Sequence, residues 1–136
     1  MGKQKNKRVG NASSFIFKRN GENIMEEKIV VLYRKLRDIS AGYLIYQRHD
    51  NIELVKKIIP QIQEFVLWFL EKNIFGIDEE TYQAMCQKLL GILSDMLTAI
   101  EQGDRVLLHD AVTYGLEEYL ELFIAEDEEE EYNDTV

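Results

Sequence analysis

Cysteine and proline are nearly absent: the 136-residue chain has one of each, Cys86 and Pro60. A single cysteine excludes an intramolecular disulfide and any zinc site built on cysteine alone. On an apolar helical stripe, Cys86 reads as a small buried side chain. One proline leaves room for long helices. No stretch reaches the roughly 18 apolar residues of a membrane span. The richest, 58–70, is broken by Pro60, Gln61, Gln63 and Glu64. The basic N-terminus has no apolar segment behind it, so no signal peptide is read and a cytoplasmic location is expected. Met1-Gly2 begins like a myristoylation site, but Asn6 stands where Ser or Thr is required.

Groups for catalysis are equally scarce. A di-iron bundle needs Glu three residues before His on two helices. Here Tyr46 precedes His49 and Val106 precedes His109 at that distance. His109, with Asp104 and Asp110 close by in sequence, reads as a solvated histidine near a helix start, and no metal is expected. The serines are Ser13, Ser14, Ser40 and Ser94, none on a strand-to-helix elbow. No glycine loop cradles a phosphate, and Gly76 and Gly103 read as helix ends. The chain is therefore read as non-enzymatic, with no catalytic residue and no cofactor.

Charge is present but uneven. Residues 1–21 carry Lys3, Lys5, Lys7, Arg8, Lys18 and Arg19 and no acid. Residues 126–136 carry seven acids and no base. The chain between them has 10 basic and 18 acidic residues, a net −8 within an overall −9. An acidic body argues against nucleic acid on the folded part. The polar, basic residues 1–24 read as a disordered extension, with Met25 a sensible start for the fold. The acidic tail 126–136 reads as too charged to fold alone.

Between the termini, apolar residues recur at helical spacing. Ile29, Leu32, Leu36, Ile39 and Tyr43 predict a first helix over 25–48, containing the small run Ser40-Ala41-Gly42. Ile52, Val55, Ile59, Ile62, Val66 and Phe69 predict a second over 51–72, capped by Asp50 or Asn51. Pro60 predicts a kink near 56–59 rather than a full break, because the stripe keeps its phase across it. Trp68 falls off this seam, so it is either covered by two neighbours or exposed for contact. Tyr82, Met85, Cys86, Leu89, Leu93, Met96 and Ile100 predict a third helix over 78–102, capped by Asp78. Gly103 stops it, Asp104 starts the next, and Leu108, Val112, Leu116, Tyr119, Leu120 and Phe123 predict a fourth over 104–125. Short connections make consecutive helices antiparallel neighbours. The fold expected is all-α, an antiparallel up-down-up-down four-helix bundle.

Two features of the last helix resemble known families. Arg105 and His109 resemble the Arg-x(4–6)-His signature of HEPN bundles, which often cleave RNA, though only three residues separate them here. Asp104-Arg105-Val106-Leu107-Leu108-His109-Asp110, followed by Tyr114 and Leu116, is similar to small uncharacterised helical proteins of Gram-positive bacteria. That resemblance covers about 25–123 and implies a bacterial all-α bundle without a known activity. In size, acidity and layout the chain also resembles flagellar export chaperones.

The leading functional expectation is a protein-binding, chaperone-like or accessory bundle. The residues it rests on are Trp68, Arg105, His109, Tyr114 and Tyr119. Tyrosine and tryptophan are enriched at interfaces, and an acidic surface steers basic partners. Gly91 and Gly115, inside helices, read as grooves for another helix or as internal contacts. The alternatives are an RNA-cleaving or RNA-binding bundle using Arg105 and His109, and a structural homodimer.

Overall fold

The elements follow from local signals at their ends. The computed structural model describes residues 22–124. The expectations for the acidic tail, and for the basic extension up to residue 21, lie outside the described residues. Those described are all-helical: α1 Glu22–Leu44, α2 Asn51–Lys57, α3 Ile59–Glu71, α4 Glu79–Gln102, α5 Arg105–Ala111, a π-helical turn Val112–Leu116, and α6 Glu117–Glu121. No strand occurs among them.

The hinge between α4 and α5 is built by two adjacent residues. Gly103 takes φ 69°, the left-handed conformation a Cβ disfavours. Its N–H bonds the Ile100 carbonyl at 3.3 Å, and the Asp104 N–H bonds that of Ala99 at 2.8 Å. These bonds close the end of α4. The Asp104 carboxylate then accepts the Leu107 N–H at 3.0 Å and opens α5. Asp78 opens α4 the same way, accepting from the Thr81 N–H at 3.0 Å and the Thr81 hydroxyl at 2.7 Å. Those bonds hold its carboxyl below the usual carboxylate range.

Three expected helices differ from the observed ones. The first ends at Leu44, four residues early. Gly42 is the cause: the Arg48 side chain folds over it, 3.2 Å from where a Cβ would sit. The Arg48 N–H bonds the Gly42 carbonyl at 2.9 Å, and Gln47 turns the chain at φ 55°. The second is two helices, not one bent helix. Ile58 leaves helical geometry at φ −111°, ψ 14°, and Pro60 sits in the first turn of α3, where its missing N–H costs nothing. Phase survives the break, since Ile52, Val55, Ile58, Ile62, Phe65, Val66 and Phe69 are all buried. In the fourth, five residues from Val112 to Leu116 widen into a π turn, and the Glu117 N–H reaches back five residues to the Val112 carbonyl.

Packing joins the pieces into one core. α1 lies against α2, α3, the π turn and α6; α4 lies against α5, the π turn and α3; α2 touches α5. Leu36, Val55, Ile62, Leu89, Leu120 and Ile124 are completely buried. Cys86 is buried as a free thiol, as its place in the stripe predicted.

Candidate functional site

The five residues singled out by sequence separate into two groups at different places in the fold. Trp68 and Tyr119 join the aromatic core. Trp68 packs edge-on to Phe75 and Phe123, with ring centroids 5.4 and 5.3 Å away, and is half-buried. Two neighbours therefore cover it. Tyr119 is 6% exposed and stands edge-on to Phe69 at 5.6 Å. Its hydroxyl donates to the Met85 carbonyl at 2.8 Å, which ties α6 to α4, and burial pushes its phenol up. Both are cohesive residues of the interior.

Arg105, His109 and Tyr114 gather beside the end of α1. The Arg105 Nε donates to the His49 carbonyl, and the Asn51 amide donates to the Arg105 carbonyl at 3.1 Å. Arg105 thus fastens the 45–50 connection to α5. His109 corrects the sequence expectation, for it is 8% exposed, not solvated. The Tyr43 ring of α1 covers it at 4.9 Å, and Tyr114 stands edge-on at 6.4 Å. Its own helix gave no sign of this, because the cover comes from α1. Tyr114 remains 64% exposed.

Next to this group lies an apolar surface that helical periodicity did not reveal. Leu44, Ile45 and Tyr46 are consecutive and 65%, 65% and 72% exposed. Sequence placed them inside a helix. They instead form its end and the turn after it. Backbone bonds fix them, with the Ile45 N–H on the Ala41 carbonyl at 2.8 Å. Val106, on α5 beside Arg105, is also exposed. A contiguous exposed apolar patch is a feature found at interaction sites.

A buried polar cluster between α1, the π turn and α6 was also missed. Glu117 is 2% exposed. Its Oε2 accepts the Ser40 hydroxyl at 2.7 Å, and the Arg37 Nε lies 3.9 Å from its Oε1. Burial pushes its carboxyl up to about 7, against the opposing pull of Ser40 and Arg37. Ser40 also meets the Thr113 hydroxyl at 2.9 Å. On the outer side, the Arg37 guanidinium donates to the Tyr33 hydroxyl at 3.2 Å, and that hydroxyl donates to Glu121 at 3.0 Å. Burial and the Glu121 carboxylate raise the Tyr33 phenol. The π turn places Thr113 and Glu117 against Ser40, and such turns recur at functional sites. One signal was readable: Glu117 is in phase with buried Leu120 and Ile124.

The two interior glycines differ. A Cβ on Gly115 would lie 3.0 Å from two carbons of Ile92, whereas one on Gly91 would meet nothing within 4 Å. Gly115 therefore marks a close contact between the π turn and α4, and Gly91 faces open space. A separate groove between α1 and α3, lined by Met25, Ile29, Leu32 and Phe65 and crossed by the Lys28–Glu64 ion pair, contains none of the predicted residues. No group of side chains suited to hold a metal occurs among the described residues, and no described helix is long and apolar enough to cross a membrane. No family model, curated protein or solved structure matches the chain.

Proposed function

We propose that the protein is a non-enzymatic, protein-binding helical bundle, an accessory or chaperone-like factor, and that the end of α1 is its contact face. One observation carries the reading. Leu44, Ile45 and Tyr46 stand about two-thirds exposed in a turn fixed by backbone bonds. The occupant is an apolar, basic segment of another protein. Residues 22–125 carry a net −8, which favours such a segment over an acidic one. Tyr114 and Val106 are exposed as well, and Arg105 fastens the 45–50 connection through the His49 carbonyl. The topology proposed is up-down-up-down, with α2 and α3 forming one rod and α5, the π turn and α6 another. Short connections at 45–50, 72–78 and 103–104 support it.

The RNA-cleaving alternative gains no supporting contact. The Arg105 Nε is engaged by a backbone carbonyl, and Tyr43 covers His109. The test is affinity capture from the native cell with three versions of the full chain: wild type, the Ile45→Ser/Tyr46→Ser double variant, and the distant Leu67→Ser control. A partner held by wild type and control, lost by the double variant, and rebinding in purified form through an apolar, basic segment supports the reading. A partner held equally by all three places the contact elsewhere and overturns it. A purified wild type that self-associates through Ile45 and Tyr46 makes the face a homodimer contact instead.

A further inference from the structure

Four polar side chains from four elements form a chain across the interior. Glu117 Oε2 of α6 is 2.7 Å from the Ser40 hydroxyl of α1. Ser40 is 2.9 Å from the Thr113 hydroxyl of the π turn, and Thr113 is 3.5 Å from Nδ1 of His109 in α5. The two middle members are hydroxyls. Each has a single hydrogen to donate, so the direction of one bond fixes the direction of the next.

The ends then constrain each other. An ionised Glu117 only accepts. Ser40 must donate to it, Thr113 donates to Ser40, and Thr113 is left to accept from an Nδ1–H of His109. A Glu117 protonated on Oε2 donates to Ser40 instead. Ser40 donates to Thr113, Thr113 donates to Nδ1, and the His109 hydrogen must sit on Nε2. No heavy atom need move: solvent supplies one proton to Nε2, and each hydrogen of the chain, beginning with that on Nδ1, shifts one place toward Glu117.

We propose that Glu117 and His109 are the coupled ends of this reversible hydrogen-bond chain, so that the charge of the buried carboxyl selects the ring tautomer of His109. The charge state of the α1–α6 interface is thereby relayed to the ring that Tyr43 covers and Tyr114 borders. This holds whichever partner the neighbouring face takes.

The surroundings make both states accessible. Burial opposes the ionised carboxyl, while Arg37 of α1 favours it from 3.9 Å, beyond direct hydrogen-bonding reach. Glu121 of α6 opposes the charge, and the Tyr33 hydroxyl of α1 is engaged with Glu121. On the His109 side stand Tyr43 of α1 and Tyr114 of the π turn. With its midpoint raised to about 7, the Glu117 carboxyl changes charge near neutrality.

The test is nitrogen NMR of His109 in the isotopically labelled full chain at about pH 8.5, above the carboxyl midpoint. Wild type is expected to show a protonated Nδ1. Glu117→Gln, whose amide donates as the protonated acid does, is expected to move the hydrogen to Nε2. Ser40→Ala cuts the chain, so Ser40→Ala and Ser40→Ala/Glu117→Gln should show one common tautomer ratio. Identical His109 signals in wild type and Glu117→Gln overturn the proposal. So does a tautomer difference that persists without Ser40. Should Glu117→Gln fail to fold, the wild type alone decides. Following the Glu117 side-chain carbonyl and both His109 ring nitrogens from about pH 8.5 down through neutrality, opposite shifts of Nδ1 and Nε2 that track the carboxyl support coupling, and a carboxyl that changes charge while the two nitrogens move together or not at all overturns it.

Discussion

Gly115 lies so close to Ile92 that a Cβ added to it would come within 3.0 Å of both Ile92 γ-carbons. The π turn and α4 meet at this point, and the missing side chain sets their separation. Gly91, one residue from Ile92 on α4, has open space around it. Two glycines in helix interiors thus have opposite meanings.

Alanine at the two positions should shift stability in opposite directions. Gly91→Ala replaces a flexible residue in an exposed helix and should stabilise by about 1 kcal/mol. Gly115→Ala gains the same helical preference but forces Ile92 aside, and overpacking costs about 1–3 kcal/mol. A net loss is expected for Gly115→Ala, and its cost should be smaller when Ile92 is already Ala. Urea unfolding of the single and double variants measures the coupling, and a Gly115→Ala as stabilising as Gly91→Ala would show that the contact is loose.

Stability should fall as pH rises from about 4.5 to about 7 because of Glu117. Its folded carboxyl is raised to about 7 from an ordinary 4.5, so between these values the folded state holds a proton the unfolded chain has released. The contribution is full below about 4.5 and is lost as pH passes about 7. A shift of this size corresponds to about 3 kcal/mol. Glu117→Gln should flatten the profile and be the more stable protein at about pH 8.5. Denaturant midpoints for both proteins across pH decide it, and parallel curves would remove Glu117 as the cause.

Tyr82→Phe should cost about 1–2 kcal/mol. The Tyr82 hydroxyl donates to the Phe69 carbonyl at 2.7 Å, joining α4 to α3, and burial pushes its phenol up to about 12. Removing the hydroxyl leaves a buried carbonyl unpaired without changing the shape of the ring. Thermal unfolding checks this, and an unchanged midpoint would mean that water replaces the bond.

Gly103→Ala should destabilise by about 1 kcal/mol, because φ 69° suits glycine and nothing else constrains the site. Gly103→Asn should cost less, since asparagine tolerates that conformation. Helicity should be unchanged in both, and the order of their melting temperatures is the measurement.

Much of the fold was legible because its signals are local. Asp78, Gly103 and Asp104 act on backbone groups within five residues, so their roles could be read directly. The apolar stripes likewise located the core positions of every helix within a residue or two. Tyr33, Phe65, Ala99 and Ile124 are buried beside the stripes rather than on them. The end of α1 was misplaced because Arg48 and Gly42 meet through a turn that spacing does not encode. The break at Ile58 was hidden because phase continues across it.

The sequence by itself determined that the chain is helical, where most helices begin and end, and which face of each is apolar. Only the tertiary structure decided which polar and aromatic side chains those faces enclose. His109 is covered by Tyr43, Trp68 by Phe123, and Glu117 by α1, each from a segment distant in sequence. Capping and periodicity depend on neighbours along the chain. Burial, and with it the charge of a side chain, depends on which other helix arrives to cover it.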